Sequence, residues 1–335
     1  MRTPTWRTAA GRATLVFGAT FLLLVAVGFA GMRLVPDLAF ARQEVPEPRG
    51  PDASWTPVLF RGHTQLDHTI IWNDIGPSID NARGADVLFL GTSQMQFAIP
   101  SHELRAFELR TGLSTFSLAL PFAERSAFAL RLIEKFDLHP RVAVVNVPAF
   151  FDRNESKEGA QVRADGYWAG LTTVWEERLA ALVWPIASTV LPSFVTRRPA
   201  SALLRSTTNG AWLPLHWHHW HARVSTEPAP MRWEVRTAMR FKLALALRGI
   251  ALVLVCVPSP YHACAPEALR PLATLLHAPM VVPRIDHPMW TGDLAHLCPL
   301  SAKRYGRAML RELQNVDVVR TIRRRGLTRS SRQSS

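Results

Sequence analysis

From about residue 84 onward the chain alternates short apolar runs with longer segments whose apolar residues recur at helical spacing. The runs Asp86–Leu90, Ser114–Leu118, Arg141–Asn146, Ile250–Val257 and Met280–Pro283 read as strands without a regular polar face. A strand of that kind is covered on both sides, which is the habit of a parallel sheet. Between them, Ser101–Thr111, Phe122–Phe136, Met231–Arg248, Pro266–His277 and Pro299–Leu313 read as amphipathic helices. The alternation predicts an α/β fold, a three-layer α/β/α flavodoxin-like sandwich with a parallel five-stranded sheet. It occupies residues 61–316, with an insertion at about 155–230.

A different pattern precedes that domain. Residues 13–32 form an uncharged apolar stretch of twenty residues, about the ~30 Å that a helix needs to cross a bilayer. Arg2, Arg7 and Arg12 stand before it and only Arg33 follows closely. The positive-inside bias therefore leaves residues 1–12 in the cytoplasm and makes 13–35 a single-pass anchor in the inner membrane. Everything after it is expected in the periplasm or outside the cell. A cleaved signal is the alternative, with Ala39-Phe40-Ala41 as its site, but that site lies far from a long apolar run. Residues 36–60 hold Pro36, Pro46, Pro48, Pro51 and Pro57 and read as a spacer.

Composition adds limits. With 335 residues, 48% of them hydrophobic, the chain has material for a full core. Its net charge of +13 is spread along the sequence and ends in a basic flexible tail, 317–335, which reads as a solvated end or, alternatively, as a contact for anionic lipid or polymer. No nucleic-acid motif accompanies that charge, so no nucleic-acid partner is expected. Three cysteines are too few for a disulfide scaffold. Cys256 falls in a predicted core strand and is expected to be a buried thiol, whereas Cys264 and Cys298 follow predicted strands and could pair outside the cytoplasm.

The candidate chemistry begins where the first core strand ends. Gly91-Thr92-Ser93 lies at the carboxyl edge of the sheet, where open parallel sheets place their ligands. Glycine permits a sharp exit there, and amides beyond it can face an anion. An ordinary strand-to-helix turn uses the same residues. A serine nucleophile needs an imidazole to take its proton and commonly a carboxylate to orient that imidazole. Among twelve histidines, His296 stands out, because Asp293-Leu-Ala-His296 follows the last predicted strand and precedes the last helix.

Taken together, Gly91-Thr92-Ser93 and Asp293-Leu-Ala-His296, followed by the helix in HLCPLSAKRYGRAML, resemble the SGNH hydrolase family, also called GDSL-like, in its membrane-anchored variety. The resemblance covers roughly residues 84–316. It implies Ser93 as nucleophile, His296 as base and Asp293 as the residue that orients the base. The family's second block usually supplies a glycine amide to the oxyanion, yet residues 114–124 contain no glycine. Its third block supplies an asparagine, for which Asn146 stands at the right strand end, with Asn154 in reserve. Gly91 is a second oxyanion candidate.

Other stretches compete for attention. The cluster His216 to His221 lacks a nearby carboxylate or cysteine and the usual ligand spacing, so no metal is expected. Trp212, Trp217 and Trp220 could stack on sugars or pack the insertion. Leu179–Thr196 is uncharged and interrupted by Pro185 and Pro192, and reads as a lid or membrane-touching insertion. His262 is a rival base, and Asp286-His287 a rival pair. His63, Asp67 and His68 precede the core domain, could cap its sheet and receive no chemical role. The resemblance implies a membrane-anchored serine esterase or O-acyltransferase acting on acylated envelope glycans, with no cofactor. Its partners would be an acylated carbohydrate or small ester, the membrane, and envelope proteins. The alternative is an inactive relative that binds glycan or a partner in polysaccharide assembly.

Overall fold

The computed structural model describes residues 16, 18–20, 55–59, 66–121, 124–190, 203–214, 222–225, 232–261, 264–293 and 295–324. The predicted anchor thus lies outside the described residues except for 16 and 18–20, which are helical. No helix among the described residues is long and apolar enough to cross a membrane. The chain divides into two units. Met1–Glu44 with Trp175–Thr196 form one, and Val45–Val174 with Arg197–Ser335 form the other, which carries the sheet and the site.

In chain order, β1 (Trp55–Leu59), α1 (Leu66–Trp72) and α2 (Ser78–Arg83) lead into β2 (Val87–Leu90). Next come α3 (Ser93–Ala98), α4 (Ser101–Thr111), β3 (Thr115–Ser117), α5 (Ser126–Lys135) and β4 (Val142–Asn146). The insertion contributes α6 (Lys157–Val190), β5 (Leu203–Ser206), β6 (Trp212–Pro214) and β7 (Ala222–Arg223). The chain then continues through α7 (Val235–Leu247), β8 (Ala251–Val255), α8 (Pro266–Leu276), β9 (Met280–Val281), β10 (Trp290–Thr291) and α9 (Pro299–Leu313).

Five of these strands form a parallel sheet in the order β3-β2-β4-β8-β9. Their alternate residues feed two cores. Leu88, Leu90, Ala143, Val145, Leu252 and Leu254 pack on one face with Phe128, Phe241 and Leu269 from the helices. Val87, Phe89, Val142, Val144, Val253 and Val255 point to the other face, against Leu104, Phe107, Tyr305 and Met309. Burial on both sides is why β2, β4 and β8 read as unbroken apolar runs.

Three expectations need correction. The predicted spacer takes in a strand, because residues 55–59 form β1, which pairs antiparallel with β5 and carries Pro57, a residue that an edge strand tolerates. At the other end, residues 317–324 are helical and Val319 is buried, so the domain continues into the segment expected to be a tail. Cys256 is not a free thiol. It forms a disulfide with Cys264, eight residues on, while Cys298 is free and buried. The strand ends at Val255, so Cys256 belongs to the loop that brings Cys264 back beside it.

The packing of α9 decides what meets at the carboxyl edge. Ala302, Tyr305, Gly306, Met309, Leu310 and Leu313 form its buried face, and Gly306 lets it press against the end of α3. A methyl at Gly306 would stand 3.0 Å from the Ala98 carbonyl oxygen. Arg307 also grips the buried carboxylate of Glu103 on α4, with Nη2 to Oε1 at 2.7 Å. The loop before α9 is thereby delivered to the start of α3.

Candidate functional site

Within the five-stranded sheet, the chain leaves β2 for β3 on one side and reaches β4 on the other. The strand order reverses at β2, and the crevice beyond the carboxyl ends of β2 and β4 is the position where open α/β sheets bind ligands. Ser93 and Asn146 stand at those strand ends, one as the first residue of α3 and the other as the last of β4. Thr92 caps α3, its hydroxyl accepting the Gln94 N–H at 3.3 Å. As the first helical residue, Ser93 has an N–H without an intrahelical acceptor.

The structure brings Ser93, His296 and Asp293 together. His296 Nε2 lies 2.7 Å from Ser93 Oγ, and its Nδ1 lies 2.6 Å from Asp293 Oδ2. A carboxylate can only accept, so Nδ1 carries the hydrogen and Nε2 is left to receive the serine proton. The spacing of three has a local cause. Asp293 Oδ1 accepts the His296 N–H at 2.8 Å and the Ala295 N–H at 3.1 Å, which folds the loop so that Oδ2 faces the ring. Bonds from Gly292 N to His296 O and from Cys298 N to Trp290 O close this loop at its base.

Burial pushes the Asp293 carboxyl up, but the hydrogen bond and charge of His296, with the two backbone N–H groups, outweigh it and hold the group below its ordinary 3.8. A depressed carboxyl stabilises the fold above the unfolded-state value, and that contribution is lost as pH falls through the lower folded value. Wild type should therefore exceed Asp293→Asn in denaturant midpoint at neutral pH. Acidification from about pH 4 downward should close the gap. A gap that widens on acidification would show that the carboxyl is not held down by these partners.

Asn146 is fully buried, and its Oδ1 accepts the Val257 N–H at 2.8 Å. That donor fixes the orientation of the amide, because only the oxygen can face an N–H. Its Nδ2 is buried with no hydrogen-bond partner among the described residues. Unpaired buried donors are rare and costly, so this amide nitrogen at the end of β4 is a polar group that the fold leaves unused. Gly91 serves this arrangement by being small. At φ +152° it adopts a backbone that favours glycine, and a Cβ there would stand 2.9 Å from the Asn146 Cβ and 3.0 Å from the Met95 Cβ. The Gly91 carbonyl accepts the Leu120 N–H at 3.1 Å, tying the end of β2 to the segment that follows β3.

The remaining candidates separate from this cluster. Asn154 is exposed on the loop before α6, where its carbonyl accepts from Arg125 at 2.8 Å. Asp286 and His287 line a different cavity of about 440 Å³ with Arg223, Ile285, Met289 and the Cys256–Cys264 bridge. Residues 215–221, with the histidine cluster, and His262 lie outside the described residues, as do residues 191–196 of the Leu179–Thr196 stretch. Backbone up to Val190 in that stretch is helical. Among the described residues no group of histidine, cysteine and carboxylate side chains could hold a metal.

Sequence reading missed the residues that support the cluster. Phe97 packs on His296 with ring centroids 4.7 Å apart, and Trp212 meets Phe97 edge-on at 5.2 Å. Phe97 stands four residues after Ser93, so one face of α3 carries both the hydroxyl and the ring that backs the imidazole. That spacing was available in the sequence. Behind α3, Gln96 donates to the Ala119 carbonyl at 2.6 Å and to Asp67, whose carboxylate also pairs with Arg205. Next to it, His68 bonds Glu124 at 2.8 Å. Burial pushes the Glu124 carboxyl up, and His68, Ser156 and the Arg125 N–H more than reverse this. Asp67 and His68 are thus structural members of the fold rather than residues at its margin. Comparison of the chain with protein-family models, curated proteins and solved structures finds no match.

Proposed function

We propose that this chain is an SGNH-like serine esterase or O-acyltransferase with a flavodoxin-like three-layer domain, acting on acylated envelope glycans. The relay from Ser93 Oγ through His296 to Asp293, with contacts of 2.7 and 2.6 Å, carries the reading. In the reaction, Ser93 Oγ attacks the ester carbonyl carbon while His296 Nε2 takes its proton. Negative charge then gathers on the carbonyl oxygen, toward Asn146 Nδ2 and the Ser93 N–H. As the carbon–oxygen bond to the alcohol breaks, His296 returns the proton to the leaving oxygen, and the acyl group stays on Ser93. Water or a sugar hydroxyl next gives its proton to His296 and attacks the acyl carbon. Release of Ser93, reprotonated by His296, completes hydrolysis or transfer. Asp293 holds the ring throughout and stabilises the imidazolium. No cofactor enters this scheme.

The glycan substrate follows from the family resemblance, and exposure to an oxidising compartment is supported by the Cys256–Cys264 bridge. With the uncharged stretch 13–32 as anchor, the domain would face the periplasm or exterior, where envelope proteins are its expected partners. The absent second-block glycine favours the second reading, a glycan-binding relative without turnover. The full chain in detergent, treated with a serine-directed fluorophosphonate and with a chromogenic acetyl ester, separates the two. Labelling and turnover that disappear in Ser93→Ala support the enzyme. Folded wild-type protein that neither labels nor turns over assigns the site to binding.

A further inference from the structure

Helix α7 turns Ala238, Phe241 and Leu245 into the core. Its opposite side carries Val235, Met239, Leu243 and Leu247, which are 48, 45, 61 and 81% exposed. These residues recur every fourth position, so at 3.6 residues per turn they lie along one continuous stripe. Isolated exposed apolar residues need no explanation, but an ordered stripe of four does. The borders of the stripe are basic. Arg236 and Arg240 are exposed along one edge and Lys242 stands along the other. No carboxylate occurs between Val235 and Leu247. Arg248, just beyond the helix, is already paired with Asp137 at 3.3 Å.

Apolar side chains between basic borders are the signature of a helix that lies in the boundary of an anionic bilayer. A second copy of the chain fits poorly, because two such helices face to face would oppose Arg236 and Arg240 to their own like charges. The chain also carries an uncharged stretch, 13–32, of the length that crosses a bilayer, so a lipid surface is the partner nearest to hand. We propose that α7 docks the sheet-bearing domain onto anionic lipid, with Met239, Leu243 and Leu247 entering the acyl boundary and Arg236, Arg240 and Lys242 contacting headgroup phosphates. This face belongs to the α5 and α7 side of the sheet, whereas Leu109, 74% exposed on α4, belongs to the other.

The proposal is independent of the serine relay. It is tested with the full chain in nanodiscs of phosphatidylcholine, with or without phosphatidylglycerol, carrying an environment-sensitive fluorophore at Leu243→Cys or, as control, Leu109→Cys. Both positions are exposed, two native cysteines are bridged and the third is buried. In anionic discs the probe at 243 should shift to the blue and be quenched by lipid-borne spin labels at a depth of about 5–10 Å. The probe at 109 should stay open to aqueous quencher. Neutralising Arg236, Arg240 and Lys242 to glutamine should lower the docked fraction at 243, about fivefold in the docked-to-free ratio for each charge removed. Aqueous quenching at 243 equal to that at 109 in both kinds of disc overturns the proposal. So does protection at 243 that requires a second labelled copy or an added acidic protein instead of anionic lipid.

Discussion

On the proposed mechanism, alanine at Ser93 is expected to lower kcat for ester cleavage by about 10⁶-fold, alanine at His296 to lower it by a similar factor, and the double variant to be hardly worse than either. Those magnitudes come from serine proteases in which one member of such a relay was removed. The reason for non-additivity is visible in the contacts. Ser93 Oγ is a weak nucleophile unless Nε2, 2.7 Å away, receives its proton during attack, and Nε2 has no proton to receive once the hydroxyl is gone. Asp293→Asn is the milder member, with a loss of about 10⁴-fold, because an amide nitrogen turned toward Nδ1 would favour the wrong imidazole tautomer. Asn146→Ala should cost about 10²–10³-fold in kcat, the scale for loss of one oxyanion donor, with little change in KM. The kinetics would be measured on full-length protein with a chromogenic ester. Single-variant losses that multiply in the Ser93 and His296 double variant would show that the two side chains do not work as one unit.

The parts of the fold legible in the sequence are those whose physics is local. Val87–Leu90, Val142–Asn146 and Ala251–Val255 are recognisable because a strand buried on both faces has no use for polar residues. Pro266 and Pro299 mark helix starts because their missing N–H falls where no acceptor is required. Asp293 and His296 are legible for a related reason, since a carboxylate three residues before a histidine can hold the backbone and the ring in one turn. The disulfide was not, because no local pattern tells which two of three cysteines come within bonding distance. Helix α6 was hidden by Gly166, which breaks helical geometry at φ +74°, and by the prolines that follow. Phe97 was legible by spacing once Ser93 had been chosen, but only the position of α9 shows which imidazole it meets. Least legible of all is Arg205. Its partner Asp67 lies 138 residues earlier, and no periodicity links a strand of the insertion to the first helix of the domain.

Removing that carboxylate, Asp67→Ala, is expected to lower unfolding free energy by about 3–5 kcal/mol, a large share of the ~5–15 kcal/mol by which domains are held folded. Asp67 is 0% and Arg205 1% exposed, so screening by solvent is minimal. Without Asp67 the guanidinium would keep its acceptors at the Ser117 and Ala119 carbonyls but lose the only counter-charge it bonds among the described residues. The network is not fully satisfied even in the wild type, since Asp67 Oδ1, Gln96 Oε1 and Arg205 Nε find no protein partner among the described residues. An apolar replacement of both charges, Asp67→Leu with Arg205→Met, should consequently be far less harmful than Asp67→Ala alone. Urea titration would read this as a fall in midpoint at constant slope for the single variant and recovery in the double. The catalytic measurement adds a second expectation. Gln96 anchors α3 to Asp67 and to Ala119, so loosening it moves the helix that carries Ser93 and Phe97. The double variant should therefore regain stability more completely than kcat, because leucine restores volume to the core but offers Gln96 no acceptor. Equal recovery of both would mean that Gln96 is held well enough by the Ala119 carbonyl alone.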